Sequence, residues 1–104
     1  MPERYRIIIL PSASDDLTRI CTYIEKDSPQ NASAVAQRLL DAVDGLEILP
    51  HRFRIHEHRK DAAKTVRSMP VPPFIVYYRV DDARNAVRIL SVRHGSQRQP
   101  RRFG

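Results

Sequence analysis

Residues 74–92, FIVYYRVDDARNAVRILSV, decide the fold. Phe74 to Val80 is a run of aromatic and β-branched side chains, a composition that fits a packed, pleated surface. Asp81-Asp82-Ala83-Arg84-Asn85 supplies turn chemistry and Ala86 to Val92 a returning strand, so the stretch reads as a β-hairpin. Tyr77 and Tyr78 are neighbours and must face opposite sides of their strand, which admits at most one of them to a one-sided core. The other is either an exposed aromatic on a binding face or a cross-strand filler.

Upstream, Phe53 to Glu57 and Lys64 to Met69 alternate in the β period, with the polar HRKDAAK between them. Pro70, Pro72 and Pro73 lack three backbone donors and predict a stiff connection into Phe74. Before Pro50 the period changes from 2 to 3.6. Leu17, Ile20, Cys21 and Ile24 form one helical stripe, with Ser12 or Ser14 as the cap and Asp15 and Asp16 in the first turn. Ser28-Pro29 ends that helix and starts another, whose stripe runs through Ala32, Val35, Ala36, Leu39, Val43 and Leu46 to Leu49. So short a turn requires an antiparallel αα-hairpin, and Ala32, Ser33, Ala34 and Ala36 let the two backbones approach. The opening RYRIIIL, residues 4–10, holds three isoleucines without alternation and predicts a strand buried on both faces, ended by Pro11. The expected fold is therefore α+β: an N-terminal strand, an antiparallel helical hairpin, then a three-stranded antiparallel meander with the helices packed on one face. Residues 1–97 form a single domain and residues 98–104 a basic, mobile C-terminal tail.

The chain has 104 residues, 41% hydrophobic and 29% charged, a balance that favours folding over disorder. Its one cysteine, Cys21, excludes a disulfide framework and a paired-cysteine metal site, which suits a reducing cytoplasm. The apolar run between Arg6 and Pro11 is too short for a signal-peptide core or a membrane span, so a cytoplasmic protein without a membrane partner is expected. The net charge of +6 is unevenly placed: residues 1–82 hold twelve basic and twelve acidic side chains, whereas residues 83–104 hold six arginines and no acid. That asymmetry points either to an anionic partner or to a solvated, solubilising end.

The order and spacing of RIIILPSASDDL, LEILPHRF, TVRSM, IVYYRVDD and ILSVRHGSQR resemble the RelE/ParE superfamily of toxins from bacterial toxin–antitoxin pairs, over nearly the whole chain. The resemblance implies a compact type II toxin, also known in plasmid stabilisation systems, held in check by a cognate antitoxin with an acidic C-terminal segment. It implies one of two targets. RelE-like members cleave messenger RNA on the ribosome; ParE-like members bind DNA gyrase and poison it.

Cleavage in this fold needs a base, an acid and cations for the phosphorane. RelE-like nucleases resembling this chain open the Arg-Leu-Val-Tyr strand with an arginine, whose place here falls to Phe74 or Ile75. Neither can stabilise a phosphorane, so the ParE-like branch is favoured: an inhibitor that acts by binding, without catalysis. Under the ribonuclease alternative, His94 and Glu57 are the catalytic candidates; a nucleic-acid-binding member without toxicity is a third reading. Arg54, His56 and His58 share the polar segment with Glu57, a grouping found as solvated surface more often than as a site. His-x-Glu-His is not a helical zinc spacing, and no metal or cofactor is expected. Arg67, Arg93, His94, Arg98, Arg101 and Arg102 are the expected target-binding residues. For His94, cationic Arg93 and Arg98 favour the neutral ring of a base, while the plain alternative is a strand-ending hydrogen bond.

Overall fold

In the computed structural model, residues 3–103 are described. Strands β1 (Arg6–Ile9), β2 (Arg54–Glu57), β3 (Val66–Val71), β4 (Phe74–Asp81) and β5 (Ala86–His94) form one mixed sheet in the spatial order β1-β5-β4-β3-β2. The last four make an antiparallel meander, one strand more than expected, because Arg54 and Ile55 pair in full with Ser68 and Arg67. β1 lies parallel to β5, as a strand must when the chain crosses over through helices before returning beside it. It is an edge strand, and Ile9 is exposed, so the expectation of burial on both faces is corrected.

Helices α1 (Pro11–Glu25) and α2 (Pro29–Asp44) form the hairpin and cover one face of the sheet. Ala13, Leu39, Val43 and Leu46 pack onto Met69, Val76, Tyr78, Val87 and Ile89, with Leu17, Ile20 and Ile24 at the margin. Ser28 caps α2 by accepting from the Asn31 amide. α1 starts differently from expectation: Pro11 is its first residue, Leu10 precedes it without a side-chain cap, and its first turn is free of acid. Pro11 at the first helical position removes one of the amide donors that a helix start leaves unpaired. Pro70 sits inside β3 opposite Ile75, so the β3–β4 connection is only Pro72-Pro73, joined by a cis peptide bond. Leu49 leaves the helical stripe: its φ is +50° and the side chain is 61% exposed. The Arg52 guanidinium donates to the carbonyls of Gly45, Ile48 and Leu49, satisfying the turn that redirects the chain.

The pairing of β4 with β5 slips at Leu90: Tyr78 faces Ile89, while Tyr77 faces Ser91. β5 also runs beyond the end of β1, and α1 satisfies the bare edge. Ser12 Oγ donates to the Leu90 carbonyl at 2.6 Å, and Asp16 Oδ2 accepts from the Val92 amide and Ser91 Oγ, each at 3.0 Å. Asp16 thus serves as a substitute for a strand neighbour, holding the end of β5 that carries Arg93 and His94. Among the described residues no helix is long and apolar enough to cross a membrane.

Candidate functional site

The face of the sheet turned away from the helices has its own buried cluster, Val66, Tyr77 and Leu90, with Leu10, Ile75 and Phe103 packed on it. Both tyrosines are therefore buried, Tyr78 under the helices and Tyr77 here. The expectation that only one could be is corrected, because the chain's own end supplies a second covering layer. Tyr77 OH donates to Gln99 Oε1 at 2.6 Å, and Gln99 Nε2 donates to the carbonyls of His94 and Gln97. His56 Nε2 donates to the Pro100 carbonyl at 2.6 Å; a carbonyl can only accept, so this nitrogen carries the proton. The Phe103 ring lies 5.0 Å from Tyr77 and 6.1 Å from His56. Its amide donates to Glu57 Oε2, and its carbonyl accepts from Arg59, which also binds Glu57 through Nε. Residues 98–103, expected to form a mobile tail, lie against the sheet through these contacts.

Electrostatics follow from the same neighbours. Burial pushes the Tyr77 hydroxyl up, opposed by Arg93 and Arg54. The Arg59 hydrogen bond holds Glu57 below the usual carboxylate range, and the Arg88 and Arg84 guanidinium groups do the same for Asp81, at 3.1 and 3.0 Å. Sheet register puts Arg54, Arg79, Arg88 and Arg93 on the Tyr77 face, and Arg98, Arg101 and Arg102 are exposed in the segment that crosses it. The carboxylates Glu57 and Asp81 already hold arginine partners, so the charge of Arg54, Arg93, Arg98, Arg101 and Arg102 is left for an outside anion.

The expected residues do not form one constellation. Arg93 and His94 border a groove of about 850 Å³ between α1 and the β4–β5 end, with Asp16, Arg19, Tyr23 and Phe74. His94 pairs with Phe74 on the helix side; its Nδ1 accepts from the Ser96 amide at 3.0 Å and neighbours Ser96 Oγ at 2.6 Å, so the ring's proton is on Nε2. Gly95 follows because the Pro73 carbonyl would stand 3.1 Å from any added Cβ. Arg67 is elsewhere, its Nη1 donating to the carbonyls of His51 and Phe53 at 2.9 and 2.8 Å. His94 and Glu57 are on opposite faces, at register positions Val71 and Val66 of β3, about 16 Å apart along the strand direction. Phe74 enters the helix-side core and Ile75 the Tyr77 face, and neither contributes a cation. Sequence reading missed Arg54, Arg79 and Arg88 as a group, and His56 and Phe103 as the cover of Tyr77. Phe103 was the available signal, as the large apolar side chain within an otherwise polar end.

Residues 7–99, from β1 to the closing RHGSQRQ, match the family described as ParE toxin of type II toxin–antitoxin system, parDE. The chain belongs to the ParE toxin family. Toxin RelE2 of Caulobacter vibrioides is 37% identical to this ParE-family chain over 83 residues, 79% of the chain and 85% of the relative. Two solved structures superpose with a TM-score of 0.67 at 19% identity: the chromosomal ParDE system of P. aeruginosa, and the archaeal RelE–RelB complex of Pyrococcus horikoshii. The first covers 88% of this chain and 96% of its own; the second covers 91% and 99%. At that identity the likeness is one of fold, and chains of both names share it. The protein is a type II toxin of the ParE/RelE superfamily. The family match ends at Gln99, the acceptor of the Tyr77 hydroxyl, and the Phe103 contact follows it.

Proposed function

We propose that this ParE-family toxin acts by binding, with DNA gyrase as its target, and that a cognate antitoxin with an acidic C-terminal segment restrains it. The observation that carries this reading is that the two catalytic candidates are kept apart: Glu57 is consumed by Arg59 and the Phe103 amide, and His94 belongs to the other face. General acid–base cleavage needs both groups within reach of one phosphate. The match to a ParE family and the missing strand cation at Phe74 and Ile75 support the same side. Arg93, His94, Arg98, Arg101 and Arg102, with Arg67 at the far end, are the proposed target contacts. Arg54 and Arg93 on the Tyr77 face suit the acidic antitoxin segment, and the similar solved structures are a ParDE system and a RelE–RelB complex.

The test is controlled expression with separate readouts of DNA damage and of translation. Binding to gyrase predicts a DNA-damage response with protein synthesis initially intact. Immediate translation arrest with cleaved messages, and no DNA damage, would refute the proposal in favour of ribosome-dependent cleavage.

A further inference from the structure

A third basic feature lies away from both the Tyr77 face and the α1 groove. At the end of the sheet where β3 and β4 meet the loop after β2, a cavity of about 190 Å³ is lined by His51, His58, Arg59, Lys60, Arg67 and Asp82. Its acid is already engaged: Asp82 Oδ1 accepts from Tyr5 OH at 2.6 Å, and Oδ2 from His51 Nε2 at 3.1 Å. Arg59 is neutralised by Glu57. Among the described residues, His58, Lys60 and Arg67 have no carboxylate within ion-pair distance.

The Arg67 side chain and the loop backbone are also held in place. Arg67 is fixed through Nη1 by two carbonyls, which orient the guanidinium without cancelling its charge. The loop bearing His58 and Lys60 is pinned by Thr65 Oγ1, which accepts from the Arg59 amide and donates to the Arg59 carbonyl. A fixed guanidinium with an uncompensated ammonium and two imidazoles around a small concavity is complementary to a compact anion with acceptors in several directions. The volume is below that of pockets that enclose whole drug-sized ligands, so it suits one anionic group of a larger molecule.

We propose that this cavity binds a phosphate group, with Lys60 and Arg67 as its cationic walls, His58 beside them as a hydrogen-bonding group, and His51, oriented by Asp82, on its rim. Phosphate could come from a free nucleotide or from the end of a nucleic-acid strand, and the experiment separates the two. The purified full-length protein, isotopically labelled, is titrated with inorganic phosphate, a nucleoside 5′-monophosphate, and a short single-stranded oligonucleotide with or without a 5′-phosphate; acetate at matched ionic strength is the control. Expected are saturable amide shifts within residues 58–67 for the phosphorylated ligands and none for acetate. Lys60→Ala and His58→Ala should each weaken binding about tenfold, as loss of one charge-assisted contact implies. Arg101→Ala with Arg102→Ala should leave it unchanged. Tighter binding of the 5′-phosphorylated oligonucleotide than of the monophosphate identifies a nucleic-acid end as the source; equal binding identifies free nucleotides. Equal response to acetate, shifts centred on residues 93–103, or affinity insensitive to both single variants would overturn the proposal.

Discussion

Leu49 shows what a single residue can cost and why. Its left-handed backbone is disfavoured for a side chain with a Cβ, yet the side chain is mostly exposed and contributes little burial in return. Leu49→Gly should raise stability by about 0.5–1 kcal/mol, measured by urea unfolding, the relief of strain outweighing the greater freedom of glycine in the unfolded chain. Tyr78 makes the opposite case. Its hydroxyl, donating to the Pro50 carbonyl, is pushed up to about 12 by burial. The folded value is raised above the unfolded one, so this contribution is complete below about pH 10 and is lost as pH rises toward about pH 12. Urea midpoints of the wild type should fall from about pH 9 to about pH 11, and Tyr78→Phe should flatten that fall.

At the scale of elements, the helices and the central hairpin were legible because their signals are local. The stripe from Ala32 to Leu46 and the Ser28-Pro29 cap need only their own neighbours in the chain. Pairing across long separations leaves no such mark. Nothing near Asp16 announces that it meets Ser91 and Val92, some 75 residues later, and the sequence reading therefore assigned it to a helix dipole. Asp16→Ala removes a charged acceptor for two donors and should cost about 1.5–3 kcal/mol; Asp16→Asn, which keeps an acceptor, should cost less. Loss of stability equal in both variants, or in neither, would contradict the role of Asp16 as the edge of β5. The site was legible only in part for the same reason: Arg93 and His94 stand out in the sequence, but Phe103 gains its meaning from Tyr77 and His56 across the fold.

For the whole molecule, the sheet is covered on one side by the helical hairpin and on the other by the end of the chain, so a basic end is also a structural layer. Deleting residues 98–104 uncovers Tyr77, Val66 and Leu90. The truncated protein should still unfold cooperatively but be less stable by about 1–3 kcal/mol, the scale of one aromatic side chain's burial. It should also lose target inhibition more than antitoxin binding, since Arg98, Arg101 and Arg102 leave while Arg54 and Arg93 remain; equal losses would oppose that division of labour. Inhibition by binding, rather than by cleavage, is the action proposed for this toxin. It is tested most directly by adding the purified toxin to DNA gyrase and relaxed plasmid and following ATP-driven supercoiling. Dose-dependent loss of supercoiling, relieved by the antitoxin, is the predicted result; undiminished supercoiling by a toxin that cleaves messages on translating ribosomes would contradict it.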